Sequence, residues 1–287
     1  MANTTSSFEK TFTIGGDITV NRLGYGAMRI TGPGIWGPPK DHNESIRVLK
    51  RAVELGVNFI DTADSYGPNV SEELIAEALH PYPADLLIGT KGGLLRTGPN
   101  EWPVDSSPEH LKEALNGSLR RLQVERIDLY QLHRIDPKVP AEKSFEFLQK
   151  AQQEGKIRHI GLSEVSVADI KLAQQYFEVV SVQNMYAVDN RKWEAELEYT
   201  NNHNIAFIPW FPLGGGNIPG EEILKRIAAK HNATVHQIAL SWLLHHSPNI
   251  LLIPGTSSVS HLEENMKTAD IQLSEDDMAV LDSIGGA

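Results

Sequence analysis

Short, β-branched and almost wholly apolar runs recur eight times along this chain, and longer amphipathic stretches fill the intervals. The runs are Arg22–Gly26, Val57–Ile60, Leu86–Thr90, Ile127–Leu132, Ile157–Gly161, Val179–Gln183, Ile205–Trp210 and Ile250–Ile253. A strand that is apolar on both faces has to be covered on both faces, which is the condition of a parallel sheet dressed by helices. The intervals carry helix signals. Asp41 and Glu44 make a capping box ahead of Ile46, Leu49 and Val53, with Gly56 as the stop. Ser107–Pro108 supplies an N-cap and a first-turn proline before Leu111, Leu115 and Leu119. Helical patterns follow at Pro140–Gln153, Ser166–Gln175, Arg191–Asn201, Glu221–Ala229 with Thr234–His245, and Val259–Lys267. Eight strands alternating with eight helical segments predict an α/β fold, a closed (β/α)₈ TIM barrel, with an open doubly wound sheet as the competitor. Phe12–Val20, centred on Gly15-Gly16-Asp17, reads as an N-terminal β-hairpin, and Ser274–Ile284 as one extra C-terminal helix. No low-complexity linker divides the chain, so residues 1–287 are expected to form a single domain.

Charge and composition remove whole classes of function. The net charge is −11, and no basic stripe is visible, so a nucleic-acid partner is not expected. There is no cysteine, hence no disulfide, thiolate metal site or cysteine nucleophile. The polar first ten residues lack the apolar core of a signal peptide, and no apolar run approaches the ~20 residues needed to span a bilayer. A cytoplasmic monomer without a membrane partner is the expectation.

Missing motifs narrow the chemistry. No GxGxxG follows a strand, which disfavours a Rossmann site. No tyrosine precedes a lysine by four residues, and no phosphate loop or GxSxG elbow occurs. None of the 11 histidines stands in an HxH or HExxH pair, so no metal is expected.

In a (β/α)₈ barrel the chemistry sits where strands end and βα loops begin. Asp61 closes the second run, Tyr66 follows in its loop, Lys91 closes the third and His133 the fourth. Singly, each has a plain reading: an Asp61–Lys91 structural ion pair, a Schiff-base Lys91, a rim histidine, a loop tyrosine. Jointly they form a coherent set. Hydride addition to a carbonyl builds up an alkoxide that needs a proton donor. An ammonium beside a tyrosine favours its phenolate, a carboxylate can hold that ammonium, and a histidine can orient the substrate oxygen.

These residues resemble the aldo-keto reductase superfamily, from about Asn21 to the end of the chain. Asp61-Thr-Ala-Asp-Ser-Tyr66-Gly, Thr90-Lys91 and Leu132-His133 match the family's catalytic tetrad in order and spacing. The resemblance implies catalytic Asp61, Tyr66, Lys91 and His133, and an NADPH cofactor across the barrel rim, with NADH used less efficiently. It also implies cofactor contacts at Gly26, Ala27, Met28 and Asp61. Ser163 and Gln183 match the carboxamide-binding pair, Trp210 the ring that stacks on the nicotinamide, and Pro212, Leu213 and Gly214 the start of the pyrophosphate loop. Ile253, Gly255, Thr256, Ser257, Ser258, His261, Glu264 and Asn265 match the segment holding the adenosine end. Three departures stand out. Glu164 replaces a common asparagine, and Gly255 and His261 replace a lysine and an arginine that grip the 2′-phosphate. Thr256, Ser257, Ser258 and the following helix N-terminus are then left to hold that group.

Within the superfamily, the segments around Asn21–Met28, Gly32–Pro39 and Pro254–Asn265 are similar to a bacterial group that includes pyridoxal reductases. The substrate expected is a small carbonyl compound, aromatic or pyridoxal-like. Trp36 and Trp102 would wall its pocket, and Arg96 or Arg134 would serve as polar anchors. The alternative is a regulatory NADP-binding subunit of the same fold, like the β subunits of potassium channels.

Overall fold

The computed structural model describes residues 8–212 and 220–285. A two-stranded hairpin comes first, β1 (Thr11–Ile14) with β2 (Ile18–Asn21), antiparallel and turned at Gly15-Gly16. Then β3 (Tyr25–Gly26), α1 (His42–Glu54), β4 (Phe59–Asp61), α2 (Val70–Leu79), β5 (Leu87–Gly92) and α3 (Pro108–Arg121) alternate. The alternation continues with β6 (Ile127–Leu132), α4 (Ala141–Gln153), β7 (Ile157–Ser163), α5 (Val167–Ala173), β8 (Val179–Gln183), α6 (Glu194–Asn202) and β9 (Ala206–Phe207). Helices α7 (Glu221–His231), α8 (Val235–His246), α9 (Val259–Met266) and α10 (Glu275–Asp282) follow. Strands β3 to β9 form one parallel sheet in sequence order, the curled sheet of a (β/α)₈ barrel.

The eighth predicted run, Ile250–Ile253, is not a regular strand, and it nevertheless joins the two sheet edges. On one side Phe207 N–H donates to Asn249 O at 2.9 Å and Leu251 N–H to Phe207 O at 2.8 Å. On the other, Leu252 N–H donates to Arg22 O at 2.7 Å and Gly24 N–H to Leu252 O at 2.8 Å. Two isolated bridges, Leu23 to Leu252 and Phe207 to Ile250, are all the ladder this seam has. The first run is likewise shorter than predicted, regular only at Tyr25–Gly26.

Arg22 reinforces the seam. Its guanidinium is 1% exposed and donates to the carbonyls of Ile250 (2.9 Å), Leu244 (3.0 Å), Ser247 (2.5 Å) and Glu9 (2.9 Å). Burial pulls its pKa down to about 10, so it is still charged at neutral pH. At the barrel's other structural end-piece, Asp17 of the hairpin turn takes bonds from Arg158 (2.8 Å) and His159 (2.7 Å) at the start of β7. Ile14 and Val20 of the hairpin pack with inward-facing Phe59, Leu87, Leu129 and Leu251, so the hairpin stoppers the N-terminal mouth of the barrel.

Two differences from the sequence pattern are local. Helix α2 was not visible in the periodicity: it starts after Gly67-Pro68-Asn69, with Asn69 left-handed at φ 75°, and buries the polar Ser71 and Glu72 beside Leu74 and Ile75. The Asp41–Glu44 capping box is half formed. Asp41 accepts from Glu44 N–H, but the Glu44 carboxylate turns to Arg47 and to the N–H of Val259 at the start of α9. No described helix is long and apolar enough to cross a membrane.

Replacing Arg22 with methionine leaves three buried carbonyls, of Ile250, Leu244 and Ser247, without their donor. We expect a loss of about 3 kcal/mol or more in urea unfolding, since each unsatisfied buried group costs about 1–3 kcal/mol. A loss under about 1 kcal/mol would remove Arg22 from its place at the seam.

Candidate active site

The parallel register carries the polar strand-end residues to one rim. Asp61 ends β4 opposite Gly89, Lys91 near the end of β5 pairs Gln131 of β6, and Ser163 ends β7 opposite Gln183 at the end of β8. Lys91 is fully buried and spends all three of its ammonium protons, on Asp61 Oδ2 (2.6 Å), Thr62 O (2.8 Å) and Tyr66 Oη (3.3 Å). The other oxygen of Asp61 accepts from Gln131 Nε2 (3.1 Å) and Gln183 Nε2 (2.9 Å). His133 packs edge-on to Tyr66, ring centroids 6.0 Å apart, and its Nδ1 lies 3.5 Å from Ser65 Oγ. Asp61, Tyr66, Lys91 and His133 thus meet in one cluster.

Its electrostatics follow from burial and charge. Burial alone would lower the Lys91 pKa, but Asp61 and Tyr66 outweigh it and hold the ammonium above its ordinary range. An ammonium so held is a poor nucleophile, which argues against Schiff-base chemistry. The Tyr66 pKa is raised: burial pushes it up, Lys91 pulls it down, and Asp61 pushes it up again. The ammonium was expected to win this balance, and desolvation outweighs it. Burial, with Lys91 and Arg134 adding to it, drives the His133 pKa well below 6.5, so the imidazole is neutral near neutral pH.

A cavity of about 760 Å³ opens over the cluster. Asp61, Tyr66, His133, Ser163, Gln183 and Trp210 line it, and Lys91 lies behind Asp61 and Tyr66. Of the other residues singled out from sequence, Gly26, Met28, Trp102, Pro212, Ile253, Gly255 and Asn265 line it too. Ala27, Trp36, Thr256, Ser257, Ser258, His261 and Glu264 do not, and Leu213 and Gly214 lie outside the described residues.

The loop tryptophans separate. Arg96 donates to the carbonyls of Ile35, Ser65, Gly34, Gly98 and Glu101, stacks 3.7 Å from the Trp102 ring centroid and stands 5.5 Å from that of Trp36. It clamps three loops together and has no donor left for a ligand. Trp36 pairs with Gly67 in that clamp, whereas Trp102 reaches the cavity and meets Tyr66 edge-on.

At the opposite wall, Glu164 has a defined task. It sits at φ 54°, and its Oε1 accepts both Trp210 Nε1–H and Met185 N–H at 2.7 Å. The carboxylate therefore sets the plane of the indole.

The adenosine-end segment also differs from expectation. Val259 N–H is already capped by Glu44, Thr256 accepts from Ser258 N–H, and Glu264 accepts from Thr234. The helix N-terminus thus faces a carboxylate, which opposes a bound phosphate there. A side chain at Gly255 would bring Cβ within 2.8 Å of Gly26 O, so a lysine does not fit that site, and a Cβ there would lie 3.5 Å from Arg29 Cγ. Arg29 and His236 line the cavity beside Gly255 and Asn265, and the sequence pattern pointed to neither. Their signal is spatial: they stand 207 positions apart in the numbering and meet only in the fold.

A model described as the aldo/keto reductase family matches residues 22–285. The chain is 45% identical over 280 residues to pyridoxine 4-dehydrogenase of Escherichia coli (strain K12), covering 96% of this chain and 98% of that one. It is 57% identical over 272 residues to an uncharacterized oxidoreductase of Schizosaccharomyces pombe, covering 94% and 88%. Among solved structures, the thermostable aldo-keto reductase Tm1743 in complex with the inhibitor epalrestat superposes with a TM-score of 0.84 at 30% identity, over 98% of this chain and 100% of that one. An aldo/keto reductase from Klebsiella pneumoniae, in complex with NADP and acetate, gives 0.79 at 25% identity, over 96% and 95%.

Beside the cluster lies a pair of buried acidic side chains, Asp64 and Glu72. Burial and the neighbouring Glu72 raise the Asp64 pKa to about 8, and its Oδ1 has no hydrogen-bond partner. In the unfolded chain the group titrates near ~4. The folded state therefore binds the proton more tightly, and stability present below that value is lost as pH rises towards 8. Asp64→Asn should flatten the decline in stability between about pH 4 and 8, measured by denaturant unfolding across pH. Parallel profiles for the two proteins would show that Asp64 is ionised throughout.

Proposed function

The chain belongs to the aldo/keto reductase family, and on that footing we propose that it reduces the carbonyl of small aldehydes, aromatic or pyridoxal-like, to the alcohol with NADPH, Tyr66 being the proton donor. One observation carries this reading. Lys91 donates to Tyr66 Oη, so the phenolic proton is turned away from Lys91 and is free for a substrate oxygen.

The residues present fit a nicotinamide nucleotide. Gln183 spends its amide N–H on Asp61, which leaves its carbonyl oxygen as an acceptor, and Ser163 and Trp210 line the same wall. Ser163, Gln183 and Trp210 would hold the nicotinamide end, and Gly26, Met28, Ile253, Gly255 and Asn265 the groove beyond it. When bound, the cofactor supplies a hydride.

The protein's own groups do the rest. His133, kept neutral, donates a hydrogen bond to the carbonyl oxygen without adding a charge that would attract hydroxide. Tyr66 transfers its proton as charge develops on that oxygen. Lys91 then stabilises the phenolate, and Asp61 keeps Lys91 in place. Trp102 offers a flat face beside Tyr66, which suits an aromatic aldehyde. The 45% identity to a pyridoxine 4-dehydrogenase supports a pyridoxal-like substrate.

Tyr66→Phe should lower kcat for benzaldehyde or pyridoxal by roughly 10²–10⁴-fold, the usual worth of a positioned acid, with little change in NADPH affinity. Turnover within a few-fold of the parent would discard Tyr66 as the acid. NADPH should be preferred to NADH by about 10–150-fold in kcat/KM, the worth of one hydrogen bond to a charged group, with Arg29 beside Gly255 as the donor in place of the capped α9 N-terminus. Equal values for the two would contradict it.

A further inference from the structure

Two arginines line the cavity with donors to spare, Arg29 beside Gly255 and Arg134 beside His133, and it is Arg134 that adjoins the catalytic cluster. It follows His133 directly, at the end of β6. Its Nη1 donates to His133 O at 2.6 Å and to Ser163 Oγ at 2.9 Å, which pins one corner of the guanidinium. Nε and Nη2, the pair that makes a side-on fork, have no hydrogen-bond acceptor among the described residues. No carboxylate oxygen of those residues lies within 4.0 Å of it. Glu164 is near enough for its charge to favour the guanidinium, yet its Oε1 is committed to Trp210 and Met185. Asp61, the only acidic side chain lining the cavity among the described residues, is committed to Lys91 and two glutamines.

A half-buried cation without a counter-ion is costly unless an anion completes it. The geometry favours a particular anion. A fixed, planar fork matches the two oxygens of a carboxylate. Among the described lining residues two arginines, Arg29 and Arg134, face one carboxylate, Asp61, in a protein of net charge −11, so the cavity favours an anion more than the acidic surface around it does. Arg96, by contrast, has all its donors engaged with loop carbonyls.

We propose that Arg134 is a specificity-determining residue that binds an anionic group of the substrate, so that the preferred substrates are carbonyl compounds bearing a carboxylate. This deepens the reductase reading and rests on it for turnover, though not for binding. The planar anion sits on the Nε–Nη2 side of the guanidinium, and the adjacent His133 and Tyr66 receive the carbonyl oxygen. No new chemical step is required.

The experiment compares 3- and 4-carboxybenzaldehyde with their neutral methyl esters, under NADPH, in the parent protein and in Arg134→Gln and Arg134→Lys. The better acid should exceed its ester in kcat/KM by about 10–150-fold in the parent, the worth of a hydrogen bond to a charged group. Arg134→Gln should bring that ratio close to one, and Arg134→Lys should keep part of it, since charge survives while the fork does not. Benzoate binding, followed by tryptophan fluorescence, should weaken by a similar factor in Arg134→Gln. Three results would overturn the proposal: no acid-over-ester preference in the parent, a ratio that survives Arg134→Gln, or a variant whose main defect is NADPH affinity. If the parent reduces none of the aldehydes, the reductase reading fails by itself, and the benzoate comparison still decides the role of Arg134.

Discussion

The buried pair of Lys91 and Asp61 is the contact on which the site is built. Removing an ammonium and a carboxylate from water costs several kcal/mol for each, and the attraction between them repays this only when every remaining donor and acceptor is used. Here they are: three acceptors surround Lys91, and three donors surround Asp61. Those partners come from β4, β5, β6 and β8 and from the loop carrying Tyr66, so one ion pair fixes five segments relative to one another. Its geometry turns the Tyr66 proton outward, and its charge helps to keep His133 neutral.

Around this pair the molecule divides its labour by charge. Cations turned onto the protein itself hold the frame: Arg22 on four carbonyls at the barrel seam, Arg96 on five in the loops, Arg121 on Glu72 and Ser118 beneath the site. The Glu72 carboxylate in turn accepts from Thr90, the residue before Lys91, so helix α2 braces the strand that presents the lysine. Arg134 and Arg29 are different, since both stand at the cavity with donors to spare. Glu164 shows a further use of a carboxylate, as the anchor that orients an aromatic wall.

Much of this was legible along the chain. The alternation of apolar runs and capped helices gave the barrel because covering both faces of a strand leaves few architectures. The strand-end positions of Asp61, Lys91 and His133 gave the cluster because neighbouring parallel strands end at one rim. What escaped did so for physical reasons. Helix α2 lacks a clear apolar stripe, since it buries Ser71 and Glu72 to serve a polar network. The seam at Ile250–Ile253 reads as a strand because it is apolar, yet it is held by single bridges and by Arg22. Trp36 and Trp102 look alike in sequence and both stand by Arg96, and only the fold makes one a loop clamp and the other a cavity wall.

The amino-acid sequence by itself determined the fold class and the family, and it named the four residues of the central cluster, because periodicity and motif spacing are local properties of a chain. Tertiary structure decided the rest: the raised pKa of Tyr66, the capture of the α9 N-terminus by Glu44, the locking of Trp210 by Glu164 and the unspent fork of Arg134. Each of these depends on how much water is excluded and on which distant donor or acceptor arrives. Burial and partner choice are set by contacts between segments far apart in the chain, and no local pattern carries them.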